Sequence, residues 1–172
     1  MNAAELRALQ APLKERYKAA PEAAQVTLTA SARLGEGITC KVETGKALVA
    51  AGLHPATGGS GSSACSGDML LEALVACAGV TLNAVATAIG VTVRKGIVQA
   101  EGDLDFRGTL GVSKDVPVGF QRIRLHFDVE SDASEEELAS LFRLTERYCV
   151  VFQSLQRSPS ITVTHQVSGG DR

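Results

Sequence analysis

Apolar residues recur at helical spacing in three segments of the chain and alternate with polar residues in much of the rest. The helical spacing predicts an amphipathic helix over residues 3–18 and an apolar helix over Asp68–Ile89. A third helix is predicted to begin at Ser134, where Glu137 completes a capping box, and to end near Cys149. We therefore expect a long apolar central helix between two more polar ones.

The alternating segments predict strands, because side chains of a strand point to opposite faces in turn. These segments are Val26–Leu34, Ile38–Glu43, Ala47–Ala50, Val91–Ala100, Gly102–Gly111, Phe120–Val129 and Ile161–Val167. The order is strands, long helix, strands, helix and strand, which predicts an α+β fold with helices packed against antiparallel sheets. We expect residues 1–22 to form an N-terminal helical extension and residues 23–172 to form the main domain.

The composition fits one domain with a core of aliphatic side chains. The chain has 172 residues, of which 45% are hydrophobic but only 4% aromatic, and it contains no Trp. The formal net charge is −2, so no basic surface indicates a nucleic-acid partner. The first 20 residues are charged throughout and lack the apolar stretch of a signal peptide, which predicts a cytoplasmic protein.

One stretch is long and apolar enough to be considered as a membrane span. Residues 73–93 carry no charged side chain. They are nevertheless rich in Ala, Thr and Gly, include Asn83, and lie between strand-like segments. We therefore predict the buried helix of a soluble domain and no membrane partner.

Two of the four cysteines, Cys77 and Cys149, lie in the apolar and the third predicted helix. In a reducing compartment such a pair indicates catalysis, sensing or metal binding rather than a permanent disulfide. Cys77 lies too far along its helix for the dipole to activate it, and burial alone would raise its pKa. A reactive Cys77 therefore requires a cation from elsewhere, whereas an unreactive Cys77 or Cys149 would be a small core residue.

Other candidate chemistry is weaker. Cys40 is predicted to be a half-buried strand residue, and Cys65 lies in the loop before the apolar helix. The cysteines lack the short spacing of zinc sites and the histidines are scattered, so we predict no metal site. The Gly/Ser loop 54–66 lacks the Lys-Ser/Thr of a nucleotide-binding loop, which favours a connector. Arg33 is the favoured cation, in competition with other arginines: Arg94, Arg107, Arg122, Arg143 and Arg147.

A run of residues around Cys77 resembles the OsmC/Ohr family of osmotically inducible and organic hydroperoxide resistance proteins. It comprises HPATGG at 54–59, a Gly/Ser loop, and DMLLEALVAC at 68–77. A second cysteine follows on a later helix, in ERYC at 146–149. The resemblance covers roughly residues 26–167 and implies an OsmC-like fold that forms an intertwined homodimer.

The resemblance also implies a thiol peroxidase without a cofactor. In it, Cys77 would attack an organic hydroperoxide and become a sulfenic acid, and Cys149 would resolve it as a disulfide. A dithiol or lipoyl-type reductant would then reduce that disulfide. Arg33 would stabilise the thiolate and Asp68 would orient the arginine. Two alternatives stay open: an OsmC-fold ligand-binding or redox-sensing protein with little turnover, and a structural role for both cysteines.

Overall fold

The computed structural model describes residues 2–19, 31–34, 39–43 and 48–166. The helices of this part are α1 Ala3–Ala19, α2 Ser66–Ile89, α3 Phe106–Thr109, α4 Glu135–Tyr148 and α5 Val150–Gln156. The strands are β1 Ser31–Leu34, β2 Thr39–Glu43, β3 Leu48–Gly52, β4 Ala64–Cys65, β5 Val93–Leu104 and β6 Phe120–Ser131. The predicted α+β class is confirmed, with a long helix that follows the first sheet and precedes the second along the chain.

The first sheet has the order β1-β2-β3-β4, and its first three strands are antiparallel neighbours. The fourth strand is a two-residue parallel bridge that brings Ala64 and Cys65 beside the end of β3. The strands predicted at Val26–Leu34, Ile38–Glu43 and Ala47–Ala50 are confirmed where the structure describes them. Residues 26–30, 35–38 and 47 lie outside the described part.

The central helix α2 begins at Ser66, two residues before the predicted start, and ends at Ile89 as predicted, with Gly90 as its C-cap. Gly90 adopts a φ of 79°, a left-handed conformation that only glycine accepts without strain, and its N–H caps the Ala86 carbonyl. By length and composition α2 could cross a membrane, a test that the core helices of folded domains also pass. In the structure it packs against α1, β5, α4 and α5.

The core lies between α2, α4 and the β5–β6 hairpin. Leu82 and Leu141 are almost completely buried, and the Phe127 and Phe142 rings meet at 5.7 Å between centroids. The predicted capping box at the start of α4 is confirmed, because Ser134 accepts from the Glu137 N–H and Glu137 accepts from the Ser134 N–H. The apolar side of α4, which includes Leu141, is buried against α2, and this burial holds α4 along α2.

The two strands predicted at Val91–Ala100 and Gly102–Gly111 are wrong as separate elements. A single strand, β5, runs through both as far as Leu104, and α3 follows it. Gly102 does not break the strand. It provides room for the Phe120 ring, since a Cβ at Gly102 would lie 2.3 Å from a ring carbon.

The strand predicted at Ile161–Val167 is also wrong where residues are described. Residues 158–166 are neither helix nor strand, and Val167 lies outside the described part. The alternation is present, yet Ile161 and Val163 are 82% and 70% exposed. A strand needs a hydrogen-bonded neighbour, and no described strand of this chain pairs with the segment.

The N-terminal helix α1 forms over Ala3–Ala19, as the helical spacing predicts, and it contacts α2. The division into an extension of residues 1–22 and a main domain of residues 23–172 stays a prediction.

Candidate functional site

Cys77 lies in the third turn of α2, on the side of that helix that faces α4 and α5. The thiol is free and the residue is half-buried. It follows the buried residue Leu74 by three positions and precedes the buried Leu82 by five, so it lies at the border of the buried stripe. α2 therefore holds Cys77 at the edge of the core, where a small molecule can approach it.

Cys149 lies between α4 and α5 and belongs fully to neither. Its backbone is extended, with φ −71° and ψ 107°. Its N–H donates to the Thr145 carbonyl at 2.9 Å, and its carbonyl accepts from the Gln153 N–H at 3.0 Å. The residue ends one helix, begins the next and is completely buried. The sequence placed Cys149 at a helix end correctly but did not show that a second helix follows at once.

The two thiols are neighbours in the structure, and each contributes to the pKa shift of the other. Partial burial raises the pKa of Cys77, but hydrogen bonds to its sulfur outweigh this and lower the pKa below the usual cysteine value. The donors are the Val151 and Val150 amides, the Cys149 thiol and the Thr81 hydroxyl. The geometry thus favours the thiolate form of Cys77.

Cys149 shows the opposite behaviour. Burial raises its pKa first, and the neighbouring Cys77 raises it further, while the Phe152 and Val151 amides oppose the change only in part. The pair is therefore asymmetric, because Cys77 loses its proton at a lower pH than Cys149 does. Such a pair can use Cys77 as a nucleophile and keep Cys149 as a thiol until it is needed.

Sequence reasoning missed the groups that lower the pKa of Cys77. It required a cation, whereas the described donors are neutral: two backbone amides at the start of α5, a thiol and a hydroxyl. Thr81 had a detectable signal, because it lies one helical turn after Cys77 and so on the same face of α2. The amides carried none, since every residue except proline has one.

Asp68 and Cys77 are not brought together within this chain. Asp68 is exposed in the first turn of α2 and lines a groove against β5 with Glu72 and Glu101. Nine residues separate it from Cys77, which is roughly 13 Å along the axis and half a turn around the helix. Arg33 lies on β1 opposite Lys41, and its side chain lies outside the described part.

The other cysteines lie apart from the thiol pair. Cys65 is half-buried at the start of α2 and lines a cavity of about 350 Å³ with His54 and Phe106, whose rings stack at 5.0 Å. Cys40 lies on β2 and its side chain is outside the described part. These positions give no reason to add either cysteine to the candidate site.

The family model of OsmC-like proteins matches residues 59–164, well over half of the chain. The chain belongs to the OsmC-like protein family. The match includes Asp68, Cys77 and Cys149 and leaves out Arg33 and the α1 helix. No curated protein matches the chain.

Solved structures share the OsmC-like fold of this chain. An OsmC-like protein from Mycoplasma pneumoniae is 21% identical, with a TM-score of 0.67 over 78% of this chain and 90% of its own. An organic hydroperoxide resistance protein from Elizabethkingia anophelis is 17% identical, with a TM-score of 0.62 over 78% and 91%. The protein OhrB from Bacillus subtilis, named for the same resistance, is 18% identical, with a TM-score of 0.52 over 77% and 93%. At these identities the likeness establishes the fold.

Proposed function

We propose that this OsmC-like protein is a cysteine-based thiol peroxidase that reduces organic hydroperoxides in defence against oxidative stress in the cytoplasm. The observation that carries the proposal is the proximity of Cys77 and Cys149, in which the pKa of the first thiol is lowered and that of the second is raised. The names of the hydroperoxide resistance proteins with the same fold support this choice of substrate.

In the proposed reaction the Cys77 thiolate attacks the outer oxygen of the hydroperoxide. The O–O bond breaks, Cys77 becomes a sulfenic acid, and the alkoxide takes a proton and leaves as an alcohol. The Cys149 sulfur then attacks the Cys77 sulfur, water leaves, and a Cys77–Cys149 disulfide forms. A dithiol or lipoyl-type reductant donates two electrons and two protons, which restores both thiols and leaves the reductant oxidised.

The position of Cys149 supports its role as the resolving residue. Cys77 lies close enough to Cys149 to raise the pKa of its thiol, which supports disulfide formation with little movement of α2. Cys149 is extended between two helices, where a small backbone rotation can reorient its side chain without disrupting a helical turn. The Thr145 and Gln153 hydrogen bonds that anchor it involve only the backbone.

We propose that the protein acts as an intertwined homodimer. The outward face of α2 carries small apolar residues at helical spacing: Ala73, Ala76, Val80 and Ala84. Val80 is 72% exposed, and only five of the 24 residues of this apolar helix are buried. A helix of this composition is usually covered, which favours contact with the same face of a second copy.

Arg33 and Asp68 are proposed as positioning residues that act across this interface. Within one chain Asp68 lies on the far side of α2 from Cys77, so it would reach the thiol pair of a second copy rather than its own. An arginine held by Asp68 would favour the negative charge that develops on the leaving alkoxide.

The test is peroxide consumption by reduced protein with a dithiol reductant and cumene hydroperoxide. We expect Cys77→Ser to abolish turnover. Cys149→Ser, assayed without the reductant, should consume one equivalent of peroxide and stop with a sulfenic acid at Cys77. Cys65→Ser is the matched control and should retain full turnover. Wild-type rates in Cys77→Ser would refute the proposal. A disulfide that forms without sustained turnover would favour the redox-sensing alternative.

A further inference from the structure

The cavity of about 350 Å³ that Cys65 lines lies at the start of α2, between the Gly/Ser loop, α3 and the ends of β5 and β6 that meet there. Its volume is in the range of small-molecule sites in proteins. Gly67, on its wall, precedes Cys77 by ten residues of α2, which is roughly 15 Å along the helix axis. The cavity and the thiol pair therefore occupy different parts of α2.

One wall of the cavity is formed around Gly67. A Cβ at Gly67 would lie 3.5 Å from the Phe120 ring, 3.6 Å from the Cys65 sulfur and 3.8 Å from a Leu104 methyl group. These three side chains, which also line the cavity, therefore converge on the space beside Gly67. The backbone of Gly67 is helical, so an alanine would fit there without strain and would fill part of that space.

A second wall is a pair of stacked rings, His54 and Phe106, whose centroids lie 5.0 Å apart with an angle of 21° between the planes. The His54 Nδ1 accepts a hydrogen bond from the Ala56 N–H at 3.0 Å. The Thr57 hydroxyl donates to the His54 carbonyl at 2.9 Å. The sequence favoured a connector for this part of the Gly/Ser loop, whereas the structure holds it in place as a wall with a fixed ring.

The cavity walls carry no charge among the described residues. Their polar members are small or neutral: His54, Thr57, Cys65, Ser66 and Thr109. An ionised ligand would lose its water here without gaining a charged partner, which is costly. A flat neutral ring would instead pack against the rings of the walls, and a hydroxyl at the edge could pair with one polar group of such a ligand.

We propose that this cavity is a second small-molecule site and that it binds an uncharged aromatic molecule of about a dozen non-hydrogen atoms. The ring of the ligand packs between the His54–Phe106 stack and the space beside Gly67. The site uses neither Cys77 nor Cys149, so it stands apart from the proposed peroxidase reaction. The Cys65 thiol lies in the wall and reports whether the site is occupied.

Ligand class is tested by calorimetry on the reduced full-length protein with naphthol, naphthoate and decahydronaphthol at pH 7. Naphthol should bind. Naphthoate, which is ionised, should bind roughly tenfold more weakly or less, and decahydronaphthol about threefold more weakly because it lacks the aromatic faces. Absence of naphthol binding, or equal binding of all three probes, would overturn the inference.

The position of the site is tested with two glycines of α2. Gly67→Ala should weaken naphthol binding about fivefold or more by filling the space beside Cys65. Gly79→Ala is the matched control, since its nearest contact would be Val98 at 3.8 Å, and it should bind like the wild type. An unchanged affinity in Gly67→Ala would contradict the proposed position.

Occupancy is tested by iodoacetamide labelling of the wild type, followed by mass spectrometry of the cysteine peptides. Saturating naphthol should slow the labelling of Cys65 and leave that of Cys77 unchanged. Protection of Cys77 instead of Cys65, or protection of neither, would place the probe elsewhere and refute the inference.

Discussion

At the scale of the residue, the central feature is a thiol that neutral groups activate. A cation was expected beside Cys77, because burial without one makes a cysteine unreactive. The described donors are instead the amides of Val150 and Val151, the Cys149 thiol and the Thr81 hydroxyl. The two cysteines could be selected from the sequence, since each lies among apolar residues of a predicted helix. The donors could not, because the turn that aims the amides at Cys77 exists only after α4, α5 and α2 have packed.

The hydroxyl of Thr81 gives the most direct test of this activation. Thr81→Val keeps the size of the side chain and removes the donor, so it should raise the pKa of Cys77. The thiolate of Cys77 is lost as pH falls through this pKa, and a higher pKa moves that loss to higher pH. Alkylation of Cys77 at pH 7 should therefore slow by about tenfold or more, since one hydrogen bond to a charged group contributes about 1.5–3 kcal/mol.

The measurement is the rate of iodoacetamide labelling of Cys77 against pH, followed by mass spectrometry of the peptide. Thr81→Ser retains a hydroxyl and should label like the wild type. An unchanged profile in Thr81→Val would show that this donor has no part in the activation.

At the scale of the element, local signals predicted most helices and strands, and contacts from elsewhere decided the exceptions. The capping box of Ser134 and Glu137 fixed the start of α4, and Gly90 fixed the end of α2. Gly102 misled the prediction of β5, because glycine is read as a break when only the sequence is known. A glycine is needed at position 102 because the Phe120 ring packs there. Phe120 belongs to another strand, so the residues next to Gly102 give no sign of this contact.

This contact predicts a difference between two glycines of the same strand. Gly102→Ala places a methyl group 2.3 Å from the Phe120 ring and should lower the free energy of unfolding by about 1–3 kcal/mol. In Gly96→Ala the nearest atom lies at 3.7 Å, an ordinary contact, so its stability should change by about 0.5 kcal/mol or less. Urea denaturation of both variants measures the difference. Equal stabilities would mean that Phe120 does not pack on Gly102.

At the scale of the whole molecule, the fold class could be predicted because the order of strands and helices restricts the possible layers. Whether the last segment forms a strand could not be predicted. The alternation at Ile161 and Val163 favours strand pairing but does not identify the strand with which the segment would pair. The exposed face of α2 is likewise unusually apolar for a protein surface, and no described element of the same chain covers Val80 on it. Both features are consistent with the proposed homodimer.

The dimer is tested at the centre of the α2 face. Val80→Glu places a charge there and should shift the protein from dimer to monomer, because an unpaired charge at an apolar interface costs several kcal/mol. Val112→Glu is the matched control, since Val112 is 71% exposed but lies in the loop after α3. Light scattering coupled to size-exclusion chromatography gives the mass of each. A monomeric wild type, or a dimeric Val80→Glu variant, would contradict the proposal.

The neutral donors around Cys77 have a consequence for how the site responds to ionic strength. Attraction between a thiolate and an exposed cation weakens as salt screens it over about 10 Å at 0.1 M. Hydrogen bonds from the Val150 and Val151 amides act at contact distance through dipoles, over a range much shorter than this screening length. The contribution of these amides to the proposed reactivity of Cys77 is therefore expected to be insensitive to changes in salt concentration.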